Sequence, residues 1–150
     1  MQAFRGKVRA CGTAALTALA LGAIPAGSAE PRPQAPPGAL LLFVASWCAP
    51  CYGELRALPE IARAAGPLRT LVVPVDARRQ TDRMVAGIPA ERLLRLEPTK
   101  AMALMRAAAG TAPGLPTSAM TRPNGETCAV RRTPLTPATV AAMRAACALG

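Results

Sequence analysis

A continuous apolar run, Ala39 to Ala45, ends three residues before a Cys-x-x-Cys pair, Cys48 and Cys51. A short apolar run rich in Leu, Phe and Val reads as a strand buried on both faces. Beyond it, Cys51, Leu55, Leu58, Ala62 and Ala65 recur at three- and four-residue spacing, and Gly66-Pro67 closes the pattern. That spacing predicts one helix. A strand running straight into a helix, with two thiols at the junction, restricts the chain to α/β architectures that carry chemistry at a strand end.

The junction Trp47-Cys48-Ala49-Pro50-Cys51 gives the two thiols different work. Cys48 falls at the helix N-terminus, where unpaired N–H groups and the positive end of the dipole favour a thiolate. A lowered thiol pKa makes it the attacking sulfur, and Cys51, one turn in, is the shielded sulfur that resolves a mixed disulfide. Pro50 suits a first helical turn, where a missing N–H costs nothing. Trp47 is placed to shelter one side of the exposed Cys48 sulfur. Two other readings of the pair are open, a zinc site completed by Cys128 and Cys147 and an inert structural bridge. The lone close pair and its place at a helix start favour redox work.

Composition removes several alternatives. There is no histidine, which excludes His-based triads, two-histidine zinc motifs and imidazole pH switches. The chain has 150 residues, 51% of them hydrophobic but only 3% aromatic, so one aliphatic core is expected. The formal charge is +10, from 18 basic and 8 acidic side chains. The cations lie singly or in pairs, as at Arg78-Arg79 and Arg131-Arg132, without stacking aromatics, so nucleic acid is not an expected partner.

Residues 1–9 are basic, 10–26 are apolar or small, and Gly27 and Ala29 stand at −3 and −1 to a cut before Glu30. This is the pattern of a signal peptide over 1–29, with a retained membrane anchor facing the periplasm as the alternative. Residues 30–38 hold four prolines and a glycine and read as a stiff linker, leaving 39–150 as the domain. Leu71 to Val75 is a second strand whose Pro74 suits no central position. Thr99 to Ala109 reads as a helix ended by Gly110, and Pro123-Asn124-Gly125 turns a hairpin between Thr117–Arg122 and Glu126–Arg132. Pro137 to Leu149 is a last helix capped by Thr136.

Trp-Cys-x-Pro-Cys after an apolar strand, Gly114-Leu115-Pro116-Thr117 before the hairpin, and Glu54 three residues past the second cysteine together resemble the thioredoxin superfamily. The closer resemblance is to its exported TlpA/ResA-type thiol–disulfide oxidoreductases, over about Leu40 to the C-terminus. It implies a thioredoxin-like α/β fold, a central mixed sheet in the order β-α-β-α-β-β-α flanked by helices, and no cofactor. It also implies a cis Pro116 against the disulfide, and Leu115 backbone pairing with an extended substrate segment, with Trp47 and Pro50 on the same docking surface. Glu54 is either the group that moves protons between the thiols or a solvated carboxylate in the first helical turn. Leu42 stands where thioredoxin itself has a buried aspartate, and the stretch from Asp76 to Pro116 suits the insert of the TlpA/ResA branch. That branch usually begins with a strand-rich segment ahead of the first core strand, and here the proline stretch takes its place.

Cys128 is read on a strand face with Val130, and Cys147 on a helix face with Val140 and Met143. A structural disulfide between them is the first reading, with a relay pair feeding Cys48–Cys51 and two buried thiols as the others. Met84, Met102, Met105, Met120 and Met143 are expected to pack rather than hold copper. The Ala49-Pro50 dipeptide resembles the reducing members of the superfamily more than the oxidising ones, and the resemblance implies a periplasmic enzyme that reduces disulfides in exported proteins through Cys48 and Cys51, recharged by a membrane electron donor. A dithiol oxidase or isomerase of the same fold, and a copper metallochaperone without enzymatic activity, are the alternatives.

Overall fold

Six consecutive buried residues form β1 (Ala39–Val44), and their alternation divides the interior in two. Leu40, Leu42 and Val44 enter one core and Ala39, Leu41 and Phe43 the other, as expected for a strand covered on both faces. The computed structural model describes residues 34–110 and 114–149, so the expected signal peptide at 1–29 lies outside the described residues. β2 (Arg69–Pro74) runs parallel to β1, pairing Val73 with Phe43, and β3 (Thr117–Thr121) runs antiparallel on its other side, pairing Thr117 with Phe43. β4 (Thr127–Arg131) completes a four-stranded sheet of order β2-β1-β3-β4. Pro74 ends an outer strand, where its missing N–H is tolerated, and bonding resumes from the Val75 N–H to the Val44 carbonyl at 3.0 Å.

The single helix expected after the cysteines is two: α1 (Ala49–Arg56) and α2 (Leu58–Ala65). Pro59 is the cause, since it has no N–H for a continuing ladder and its ring collides with the carbonyl of Leu55. Periodicity alone ran through the break because Leu58 keeps the buried spacing. α2 and α5 (Pro137–Ala146) cover the first core with Ile61, Ala65, Val140 and Met143. α5 starts with a capping box in which Thr136 and Thr139 exchange backbone and side-chain bonds.

The stretch from Asp76 to Pro116 contains α3 (Arg79–Val85), a 3-10 turn at Ala90–Arg92 and α4 (Pro98–Ala109). α4 lays Ala101, Leu104 and Met105 over Leu41 and Phe43, so it covers the second face of the sheet. The Leu94 N–H reaches the Val72 carbonyl at 2.9 Å and protects part of the outer edge of β2.

Residues 34–38 are tied to the sheet. The Gly38 N–H donates to the Arg122 carbonyl at 2.9 Å, and the Thr121 hydroxyl donates to the Pro36 carbonyl at 2.6 Å. Gly125 takes φ +83° in the hairpin turn, with an added Cβ meeting the Ala35 carbonyl at 3.2 Å. A register shift between Met120 and Thr121 changes the face read for Cys128. Simple alternation puts Cys128 with Val130, but Val130 is exposed while Cys128 packs on the first core.

Candidate active site

Parallel β1 and β2 end at the same edge of the sheet, and antiparallel β3 begins there. The Trp47–Cys51 junction, Asp76 and the Leu115–Pro116 loop therefore converge without being near in sequence. Cys48 caps α1: its sulfur accepts the Cys51 N–H at 3.3 Å, and its own N–H donates to the Ala45 carbonyl at 3.0 Å. Cys48 and Cys51 are bridged, with their Cα atoms 5.4 Å apart. The Cys51 sulfur lies 3.9 Å from the Phe43 carbonyl, inside the first core.

Cys48 retains 3% of its surface and Cys51 none. The sulfur expected to be exposed is thus largely covered in the bridged state, because both cysteines pack into the first core beside Leu115. What access remains belongs to Cys48. Trp47 is 55% exposed, and its indole N–H donates to Asp76 Oδ2 at 3.1 Å. Asp76 also accepts the Arg78 N–H at 3.3 Å and pairs with the Arg78 side chain. The Thr81 hydroxyl, buried on α3, accepts the Ser46 N–H at 2.9 Å and ties the insert to the loop ahead of Cys48.

The Leu115–Pro116 peptide bond is cis, and the Thr117 hydroxyl donates to the Gly114 carbonyl across it. Pro50 is exposed in the first turn of α1. Glu54 is 2% exposed, which removes the reading of it as a solvated carboxylate. It shares the buried side of α1 with Cys51, one turn away. Glu54 Oε1 accepts the Leu135 N–H at 2.8 Å, while Oε2 has no hydrogen-bond partner among the described residues. Burial pushes the Glu54 carboxyl above its ordinary range, and the Leu135 N–H pulls part of the way back.

Cys128 and Cys147 are bridged, joining β4 to the end of α5. The methionines are divided by the sheet: Met102 and Met105 pack on the second core, Met84, Met120 and Met143 on the first. No group of three or more Cys, Asp or Glu side chains suited to a metal ion occurs among the described residues. Asp76, Thr81 and Leu135 carry no motif. Asp76 was nonetheless findable as the residue just past the second parallel strand, at the edge where β1 delivers the cysteines.

No protein-family model and no curated protein matches the sequence. Solved structures do. That of MTB dsbF in mixed oxidized and reduced forms matches with TM-score 0.56 and 22% identity, over 76% of this chain and 83% of that one. A secreted Mycobacterium tuberculosis disulfide oxidoreductase homologous to E. coli DsbE matches with TM-score 0.54 and 18% identity, over 72% and 80%. The fold is thioredoxin-like. A thioredoxin family thiol:disulfide interchange protein from Chlorobium tepidum TLS shares it with TM-score 0.51 and 21% identity, over 70% and 75%. At these identities the likeness establishes the thioredoxin-like architecture, and the chemistry rests on the residues of this chain. No helix among the described residues is long and apolar enough to cross a membrane.

Proposed function

We propose that this chain is a periplasmic, TlpA/ResA-type thiol–disulfide oxidoreductase that reduces disulfides in exported proteins. The observation that carries the reading is the Cys48–Cys51 bridge at the start of α1, where the Cys51 N–H points at the Cys48 sulfur. That N–H and the helix dipole stabilise negative charge on Cys48 when the bridge opens. In the reduced protein the Cys48 thiolate attacks a substrate disulfide, forming a mixed disulfide and releasing one substrate thiolate. Glu54 accepts the Cys51 proton. The Cys51 thiolate then attacks the Cys48 sulfur, expelling the second substrate sulfur as a thiolate and restoring the bridge, so two electrons pass to the substrate.

Trp47, Pro50, Leu115 and Pro116 form the docking surface, with the Leu115 backbone offered to an extended substrate segment. Exposure of Trp47 and its Asp76 anchor support that role. A dithiol donor in the membrane recharges the pair. The Ala-Pro dipeptide, the resemblance to reducing members of the superfamily and the apolar segment near the N-terminus support the direction and the compartment.

Reduction of a disulfide-bonded protein such as insulin by a small dithiol tests the reading. The wild type accelerates it, Cys48→Ala abolishes the acceleration, and Cys51→Ala accumulates a mixed disulfide on Cys48 that mass spectrometry locates. Equal rates for wild type and Cys48→Ala would refute the proposal.

A further inference from the structure

Among the described residues, the one donor to Glu54 comes from outside the motif that holds the thiols. Leu135 lies in the loop between β4 and α5, inside the ring that the Cys128–Cys147 bridge closes by joining β4 to the C-cap of α5. β4 is an outer strand of five residues paired to β3 on one side alone, so the bridge is its covalent tie to α5. The Leu135 side chain is buried in the first core together with Cys147, and the next residue, Thr136, is fixed by the capping box.

We propose that the Cys128–Cys147 bridge is a positioning element for Glu54, holding the Leu135 N–H on Oε1 so that the carboxylate keeps the basicity the thiol exchange uses. The inference rests on the role given to Glu54 above. A buried carboxylate with one unpartnered oxygen depends heavily on its single donor. Charged groups on the surrounding elements do not replace it. Arg56, Glu60, Arg63, Arg131 and Arg132 are exposed, and the half-buried Arg144 lies against Gly66. The cysteines of the first core around it, Cys48, Cys51, Cys128 and Cys147, are all bridged. If the bridge is cut, the loop loosens, the N–H withdraws and the carboxyl protonates at higher pH.

The test follows Leu135 amide exchange by NMR and the pH dependence of Cys48–Cys51 exchange with a small dithiol, mapped by alkylation. Wild type, Cys128→Ala/Cys147→Ala and Thr136→Ala are each measured with and without Glu54→Gln. The inference expects Leu135 exchange about tenfold faster and the Glu54 midpoint raised by about one pH unit in the bridge variant. Thr136→Ala gives a smaller shift in the same direction, and no shift remains in any Glu54→Gln background. Faster Leu135 exchange with an unmoved midpoint overturns the inference, and Thr136→Ala alone decides this if the bridge variant does not fold. An equal shift in Val140→Ala, which weakens α5 away from the loop, also overturns it. If Glu54→Gln leaves the wild-type profile unchanged, the role of Glu54 itself is wrong, a failure distinct from the others.

Discussion

At Glu54, burial and one backbone donor act in opposite directions, and burial wins: the carboxyl titrates above 4.5. Between 4.5 and that raised value the folded protein holds a proton the unfolded chain releases. The contribution of Glu54 to stability is therefore full below 4.5 and falls as pH rises through the folded-state pKa, by about 1.4 kcal/mol for each pH unit that separates the folded and unfolded values. Urea unfolding of the oxidised protein at a series of pH values is expected to show this loss, and Glu54→Gln is expected to flatten it; parallel curves would contradict the assignment. The sequence marked Glu54 through its spacing from Cys51 but left its environment open, because a carboxylate near a helix start is commonly solvated. Its burial depends on Leu135, a backbone donor distant in sequence that carries no side-chain signal.

Among the elements, those governed by local rules were legible. β1 followed from an unbroken apolar run, α4 from its spacing and Gly110, and α5 from Thr136. Thr136→Ala removes the side-chain half of the capping box and is expected to cost about 1 kcal/mol in thermal or urea unfolding. Leu104→Ala opens a cavity between α4 and the sheet, and a loss of about 2–5 kcal/mol is expected, with Cys48–Cys51 exchange retained in the folded fraction. The features that were not legible depend on partners. The α1–α2 break lay hidden because Leu58 continues the buried spacing on both sides of it. The shift at Met120/Thr121 that turns Cys128 toward α5 is a property of two paired strands, and neither strand alone contains it.

In the whole molecule, one sheet covered on both faces brings three loops to a common edge, and two disulfides do different work in it. Cys48–Cys51 spans three residues at that edge, whereas Cys128–Cys147 spans 19 and ties an outer strand to the last helix. Closing a loop of that length contributes about 3 kcal/mol, so Cys128→Ala/Cys147→Ala is expected to lower the unfolding free energy by about that amount. The α/β class and the placing of the thiols at a strand end could be read from the order of elements, since a buried strand, a helix and a parallel strand leave few topologies. The insert's part in covering the second face could not be read, because nothing local to α4 names its partner. The proposed function stands on Cys48 and Cys51 acting as a reducing, redox-active pair. An equilibrium redox titration of the chain, with thiols trapped and mapped by mass spectrometry, decides it. A two-electron transition on Cys48 and Cys51 near thioredoxin's ~−270 mV is expected. A pair that stays bridged throughout the titration, or one poised near ~−120 mV as a disulfide donor, would contradict it.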